Sequence, residues 1–552
     1  MIVVGGVFAH GLVPLTDHVL WDGWWYAADL AGSSDLNVMA RLFHEVGRPL
    51  DLWFYAPLRW LGADAVTMAK CLGTAAWIAS AVSAAAVLGR LARLPRLVAV
   101  ANGLLMATLP IFDLLGEVAL WMNTACVLLF WLSWNLVCGL EERTGWRRIG
   151  VRLGCLATFF LSFNLNSNLV MFYAVAAALV GLRWRELPST TMLARGPRVM
   201  RRYADFLLLP VVFWLWKTWF TPTSGFYASG YNQPSLAPAK LLAGYQAMAT
   251  NFVARGLLGF FSSPRWIVVG LLAGCVTAAL LASVNGGQKA CAPRAKLGLQ
   301  LAGWGSFLLL AAAFPYVAVG QGLANEGWLS RNCILCPLPV AMIVTGTLCG
   351  LNAWVLPGFS SGWLAGTVTI AAIGIGGGMN TYVLYQALGA KGWSVRMNLG
   401  GIIRKSSPVV IQLRDYFPVA STISYYPNVI WSFLANDEMS SPRCFVIETA
   451  ILAPDVFQPG QDGQPQRVIP TASLTAKSLD DAITATTMPY ALERVPRRGP
   501  QLLAVLEPGQ PGVPSADIGW RYLTLSWFDR AGRAEFVRAL TRIETADLPP
   551  IE

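Results

Sequence analysis

The sequence predicts a polytopic α-helical membrane protein with about eleven transmembrane helices, interfacial helices in the first outer loop and a C-terminal α+β soluble domain. Three observations support this fold class. Of the 552 residues, 55% are hydrophobic and only 13% are charged, about half the charged fraction of a soluble protein. Long apolar runs alternate with short basic clusters, and the 23 tryptophans suit a chain with many membrane–water interfaces. The composition changes near residue 388, where strand-like runs begin to alternate with Pro/Gly turns.

The apolar runs predict spans at 2–16, 65–89, 95–112, 117–139, 149–165, 168–182, 204–220, 264–284, 298–319, 332–350 and 362–386. The first run lacks a basic n-region and a small-residue cleavage site, so we expect a span there rather than a signal peptide. Basic clusters follow the second, fourth, sixth and eighth spans, and the positive-inside rule assigns those loops to the cytoplasm. The N-terminus is then cytoplasmic, and the tail lies outside. We therefore expect a transmembrane domain over 1–387 and an outer domain over 388–552.

The net charge of +11 is spread over these short clusters, which argues against nucleic acid as a partner and for contact with membrane lipids. The cysteines fall mostly in apolar runs, and the Cys333–Cys336 pair has no second Cys or His pair, so no zinc site is expected. The chain has no Walker A, GxGxxG or DxD motif, which disfavours a nucleotide-driven pump or a cytosolic nucleotide-sugar transferase. The GIGGG stretch at 374–378 lies within a span and favours close helix packing.

The first outer loop, 17–64, predicts two interfacial helices. Residues 35–46 place Leu36, Met39, Leu42, Phe43 and Val46 on one helical face, between an Asp35 cap and a Gly47 stop. We expect that face to lie in lipid. A second helix, LDLWFYAPLRWLG, follows Arg48 and Pro49. The His44-Glu45 pair resembles the start of a zinc-protease motif, but Arg48 stands where the second histidine is required.

Acidic residues at the predicted outer ends are the candidates for proton transfer. Asp17 and Asp22 follow the first span within DHVLWDGWWY, where neighbouring aromatic rings would reduce hydration and raise basicity. Asp17 is also explained as a helix cap, Asp22 as a solvated residue and Trp25 as part of an interfacial aromatic belt. Glu117, at the start of the fourth span, is either functional or simply placed favourably at a helix N-terminus.

Basic residues are sparse on the predicted outer side, so each is informative. Arg331 and Arg48 could bind a phosphate by paired hydrogen bonds, and Lys217 is a third candidate. The alternative for these side chains is snorkelling to a lipid headgroup.

The tail predicts strands at PVVIQL, RCFVIET, QLLAVLEP and RYLTLSWF, and a helix at AEFVRALTRI.

Two short motifs and the layout together resemble a known family. WDGWW at 21–25 is followed by GRPLDLWFYAPL at 47–58, and both lie in the first outer loop, ahead of the further spans and an outer tail. This arrangement resembles the GT-C superfamily of integral-membrane glycosyltransferases, and within it the bacterial serotype-converting glucosyltransferases. Asp22 matches their acidic motif and Arg48 their Gly-Arg-Pro element. Gly23 replaces one member of the acidic doublet that those proteins carry.

The resemblance implies inverting transfer of a sugar from a polyprenyl-phosphate carrier to a glycan, lipid or protein acceptor, at the outer face of the bacterial inner membrane. It implies Asp22 as the base, with Asp17 or Glu117 in support. Arg331, Arg48 or Lys217 would then bind the donor phosphate, and His44 and Trp25 would contact donor or acceptor. No cofactor is required on this interpretation, and a divalent metal ion is left open. Two other readings are a transporter or flippase of a lipid-linked sugar and a non-catalytic envelope assembly protein.

Overall fold

The fold is described from a computed structural model of the whole chain. The structure describes residues 1–16, 36–61, 64–140, 143–183, 203–224, 234–260, 263–284, 295–325, 327–355, 362–403, 409–415, 417, 419, 444–448, 499–510 and 512–551. Asp17, Asp22 and Trp25 therefore lie outside the described residues. The chain divides into two compact units. The first extends to Met379, and the residues from Asn380 onward, including the end of the last long helix, belong to the second.

The first unit is helical throughout the part that is described. Its helices are α1 (Ile2–His10), α2 (Leu36–Glu45), α3 (Asp51–Arg59), α4 (Ala65–Arg90), α5 (Arg96–Thr108), α6 (Trp121–Cys138), α7 (Gly145–Ser162), α8 (Ser167–Arg183), α9 (Ala204–Phe220), α10 (Pro238–Met248), α11 (Arg255–Phe260), α12 (Pro264–Val284), α13 (Ala295–Ala318), α14 (Pro337–Val355) and the start of α15 (Gly362–Ile403). Short 3₁₀ turns cover Val13–Leu15, Asp113–Gly116, Val118–Leu120 and Gly327–Cys333, and a π-helical stretch covers Ala249–Ala254.

Each of the eleven predicted spans overlaps a helix, although the bounds differ by several residues in places. Among the described residues, five helices are long and apolar enough to cross a membrane: Ala65–Arg90, Val118–Cys138, Ala295–Ala318, Pro337–Val355 and Gly362–Val395. Shorter apolar helices cover Ile2–Leu15, Arg96–Thr108, Ser167–Leu182 and Pro264–Leu280. The chain is thus compatible with a polytopic helical membrane protein, while the number of spans stays a prediction.

Small residues bring several helices into backbone contact. A Cβ atom added at Gly298 of α13 would lie 2.6 Å from the carbonyl oxygen of Gly346 in α14. One added at Gly374 of α15 would lie 2.6 Å from the carbonyl oxygen of Thr108. The GIGGG stretch therefore permits close packing, as its composition predicted.

The first outer loop forms the two helices that the sequence predicts, α2 and α3, and Gly47 ends the first with a φ of +73°. The expectation that the apolar face of α2 lies in lipid is wrong for two of its residues. Met39 and Phe43 are 3% and 2% exposed, and the ring of Phe43 contacts that of Tyr55 edge to face. Protein therefore covers part of this face, because α3 folds back on α2 after the Gly47 turn.

The second unit contains a sheet of four described strands in the order β2-β1-β3-β4: β1 (Val409–Asp415), β2 (Cys444–Glu448), β3 (Gly499–Pro508) and β4 (Thr541–Ile551). β1 pairs in parallel with β2 and β3, and β3 pairs antiparallel with β4. Three predicted strands are confirmed. The end of α15 belongs to this unit, where Ser394 and Asn398 bond to Thr541 at the start of β4.

The predicted strand RYLTLSWF is wrong, because it lies in α16 (Ser515–Phe528). Its alternating apolar residues fit a strand, but Ile518, Gly519, Tyr522 and Leu523 are buried with helical spacing. The predicted helix AEFVRALTRI is confirmed as α17 (Arg530–Leu540), although its last three residues open β4.

Candidate functional site

Arg48 and Asp51 form a salt bridge at the turn between α2 and α3. Arg48 Nε lies 3.0 Å from Asp51 Oδ2, and Arg48 Nη2 donates to Asp51 Oδ1 at 3.2 Å. Gly47 makes this geometry accessible because its left-handed backbone turns the chain sharply between the two helices. The pair is therefore built into the loop by local sequence, since the two residues are only three positions apart.

Asparagines from other elements complete the surroundings of the pair. Arg48 Nη2 donates to Asn123 Oδ1 in the first turn of α6 at 2.6 Å. Asn164, just after α7, donates to Asp51 Oδ1. The cluster thus ties the first outer loop to two helices far away in the sequence.

Lys217, near the end of α9, is the second cation beside the pair. Its Nζ donates to Asn166 Oδ1 at 2.9 Å, and it interacts electrostatically with both Arg48 and Asp51. A Cβ atom at Gly47 would lie 3.7 Å from Lys217 Cε. We call the six residues Arg48, Asp51, Asn123, Asn164, Asn166 and Lys217 the Arg48 cluster.

Asp51 is the most buried member of the cluster with a charge. Its side chain is 3% exposed, whereas that of Arg48 is 24% exposed. Burial raises the pKa of the Asp51 carboxyl above its ordinary value, although the charge of Arg48, the hydrogen bond from Asn164 and the charge of Lys217 each act to lower it. Burial outweighs these partners, so the Asp51 carboxyl binds a proton more readily than an exposed aspartate does.

One short turn between α7 and α8 connects the cluster to a further element. Asn164 contacts Asp51, Asn166 contacts Lys217, and Ser167 lies 3.3 Å from the hydroxyl of Tyr316 at the end of α13. These contacts join only helix ends that the predicted topology assigns to the outer side. The bidentate pair of Arg152 with Asp205, at 2.7 and 2.6 Å, joins two ends assigned to the inner side. These contacts are therefore consistent with the predicted topology, in which successive spans cross the membrane in opposite directions.

Arg331 and Glu117, two further predicted site residues, lie in neighbouring segments. Arg331 is half-buried in the Gly327–Cys333 turn, where its Nη2 donates to Gln321 Oε1 at 3.4 Å. That turn packs against the Asp113–Gly116 turn, which leads directly into Glu117. Glu117 is 1% exposed, and its Oε1 accepts a hydrogen bond from the Ala119 amide at 3.1 Å. The structure thus gives Glu117 a capping contact, the simpler of its two sequence interpretations.

The structure places Lys217 beside the turn that carries Arg48, and the phosphate-binding role of either residue stays a prediction. It places His44 exposed on α2, one turn before the Arg48 cluster. Asp17, Asp22 and Trp25 are the predicted residues that lie outside the described ranges. In the part of the chain that is described, no group of three His, Cys, Asp or Glu side chains is arranged to hold a metal ion.

Asp51 and the three asparagines of the Arg48 cluster do not stand out in the sequence. Asp51 resembled an ordinary acidic residue at the start of a helix. A signal for Asn164 and Asn166 was nevertheless present in LSFNLNSNL, residues 161–169, where these two and Asn168 alternate with other residues between two apolar runs. Such polar side chains at a span boundary are costly unless they are solvated or paired.

Comparison with known proteins does not assign the chain to a family, because no protein-family model, no curated protein and no solved structure matches it.

Proposed function

We propose that this protein is an inverting glycosyltransferase that moves a sugar from a polyprenyl-phosphate carrier to an envelope glycan, lipid or protein at the outer face of the inner membrane. The observation that carries the proposal is the Arg48 cluster. Two cations lie together beside the first outer loop, and that loop also carries the WDGWW motif.

The chemistry of the leaving group explains why fixed cations matter. As the bond from the sugar C1 to the phosphate oxygen breaks, negative charge develops on the departing polyprenyl phosphate. Cationic donors that are already held in place stabilise this charge without reorganising. Arg48 and Lys217 supply such charges, and Arg331 is a third candidate that lies in a separate turn.

The acceptor side of the reaction is assigned to the first outer loop. A carboxylate, which we propose is Asp22, takes the proton of the acceptor hydroxyl as its oxygen attacks C1 from the face opposite the phosphate. This direction of attack inverts the anomeric centre. Asp17 or Glu117 would orient the acceptor, and His44 and Trp25 would contact the bound sugars.

A transporter or flippase of a lipid-linked sugar is the second candidate. It shares the need for cations that bind a phosphate but requires no base. A transporter commonly places its ionisable groups near the membrane midplane, whereas the Arg48 cluster joins helix ends. This placement favours the transferase.

The test is sugar transfer from synthetic polyprenyl-phosphate sugars by the purified protein in lipid nanodiscs. Asp22→Asn and Asp17→Asn are each compared with Lys240→Gln, an exposed cation on the same predicted side. We expect Asp22→Asn to lower kcat by about two to four orders of magnitude and Lys240→Gln to retain wild-type activity. Full activity in both aspartate variants would overturn the mechanism. Wild-type protein that flips the donor across the bilayer without transferring its sugar would favour the transporter instead.

A further inference from the structure

Asp51 is more deeply buried than its place at the start of a helix requires. An aspartate in the first turn of a helix is already favourable at the surface, because it complements the helix dipole. Asp51 is instead 2% exposed. Burying an ionised carboxylate is unfavourable unless its partners compensate.

The partners of Asp51 all act to fix Arg48. Both carboxylate oxygens face the guanidinium, with Nε–Oδ2 at 3.0 Å and Nη2–Oδ1 at 3.2 Å. Asn164 donates to Oδ1 from one side, and Asn123 accepts from Arg48 Nη2 at 2.6 Å from another. Two elements therefore contact the guanidinium directly, and Asn164 from a third holds Asp51 in place.

The restrained guanidinium lies near a second cation, because a Cβ atom at the preceding Gly47 would lie 3.7 Å from Lys217 Cε. Lys217 interacts electrostatically with Arg48 and with Asp51, and the two like charges repel one another. In its ionised form, Asp51 offsets that repulsion. Arg48 remains 24% exposed, so the guanidinium is held but still reachable.

We infer that Asp51 is a positioning residue: by holding the guanidinium of Arg48 beside Lys217, it sets up a two-cation clamp for the phosphate of a lipid-linked donor. Arg48 and Lys217 contact the phosphate, whereas Asp51 acts only through Arg48. The inference rests on the proposed function for the identity of the phosphate. The clamp itself rests on the contacts around Arg48.

The experiment measures binding and transfer separately. Undecaprenyl monophosphate is titrated into the full-length protein in nanodiscs for Kd, and transfer kinetics give KM and kcat. The variant is Asp51→Asn, which keeps the shape of the side chain and removes its charge. The matched control is Asp205→Asn, because Asp205 also forms a salt bridge with an arginine, Arg152, at helix ends of the predicted inner side.

We expect Asp51→Asn to raise Kd and KM by about tenfold, with a smaller change in kcat, and Asp205→Asn to leave both within about twofold. A folded Asp51→Asn protein with wild-type Kd and KM overturns the inference. If Asp51→Asn does not fold, Asn123→Ala decides, since it removes the 2.6 Å hydrogen bond from Arg48 Nη2 to Asn123 Oδ1 and leaves the contacts of Arg48 with Asp51 in place. A rise of about threefold in its Kd supports the clamp, and a wild-type Kd refutes it.

The two proposals fail in different ways. Phosphate-lipid binding that weakens in Asp51→Asn, together with no transfer from any polyprenyl-phosphate sugar, leaves the clamp standing and removes the glycosyltransferase. Transfer by the wild-type protein, together with unchanged phosphate-lipid binding in Asp51→Asn, removes the clamp and leaves the glycosyltransferase standing. A wild-type protein that does not bind undecaprenyl phosphate overturns the clamp.

Discussion

Replacing Gly47 by alanine tests whether the turn after α2 is built to hold the Arg48 cluster. Gly47 has a φ of +73°, and the left-handed region costs an L-residue about 1–2 kcal/mol. The new Cβ would also lie 3.0 Å from the carbonyl oxygen of Thr221 and 3.4 Å from Thr223 Cγ2. Overpacking against a backbone atom adds at least about 1 kcal/mol. We therefore expect Gly47→Ala to destabilise the protein by about 2–3 kcal/mol.

Gly145→Ala is the matched control, because Gly145 has a φ of +59° and a Cβ there would meet nothing within 4 Å. Its expected cost is the backbone contribution alone, about 1–2 kcal/mol. The difference between the two variants isolates the contact with Thr221.

Thermal unfolding followed with a thiol-reactive fluorogenic dye measures both variants. Buried cysteines such as Cys126, Cys155 and Cys349 become reactive only on unfolding. We expect the lower Tm in Gly47→Ala, together with a several-fold rise in donor KM that Gly145→Ala does not show. The rise in KM follows because the displaced chain at Thr221 begins one turn after Lys217. Equal losses of stability and unchanged KM in both variants would refute the reasoning.

Three further predictions concern the pH dependence of activity and of stability through Asp51, and the hydrogen bonds of the second unit. Burial raises the pKa of Asp51, and protonation of its carboxylate breaks the pair with Arg48. We therefore expect the transfer rate of the wild-type protein to fall on acidification, with an acidic limb in its pH profile that Asp51→Asn lacks. Identical pH profiles for the two proteins would contradict this. The free energy of unfolding is expected to change in the opposite direction to activity. Because the folded-state pKa is raised, the folded state binds a proton at a higher pH than the unfolded state does. The contribution of Asp51 to the free energy of unfolding therefore rises as the pH falls from the folded-state pKa to the unfolded-state pKa. In the second unit, Thr541→Val removes hydroxyl contacts with Ser394 at 2.6 Å and Asn398 at 3.1 Å, and we expect a loss of about 1–3 kcal/mol. Limited proteolysis of the tail measures it, and wild-type protease resistance would show that these hydrogen bonds do not stabilise the unit.

The positions of the helices were predictable because apolar runs of membrane length have few alternatives. Basic clusters between the runs also predicted on which side of the membrane each loop lies, and the contacts between helix ends agree with that prediction. Short segments were less predictable: RYLTLSWF fits a strand and a helix equally by pattern, and only its packing in α16 decides. The lipid-facing prediction for α2 failed at Phe43 because nothing in the sequence of α2 shows that α3 folds back on it.

The cations of the candidate site were predictable from the sequence, but its buried carboxylate was not. Arg48 and Lys217 stood out because cations are sparse on the predicted outer side. Asp51 did not, because its partner Asn164 is 113 residues away, and sequence spacing carries no information about such a contact. The buried member of an ion pair is therefore the residue that a pattern misses, whereas its more exposed partner is the one that a pattern finds.

The contact between α13 and α14 restricts the paths by which a long lipid could reach the protein interior. From Gly298 to Gly305, about 10 Å along the helix axis, the two backbones are so close that added Cβ atoms would meet the carbonyls of Gly346 and Pro339 at 2.6 and 2.8 Å. An isoprenoid chain cannot pass through a seam of this width. For a polyprenyl-linked donor, a lateral entrance must lie elsewhere. α9 carries Lys217 and presents Trp214, Trp219 and Phe220 at its exposed surface, so crosslinking a photoreactive isoprenoid to this helix rather than to the α13–α14 seam would locate the portal.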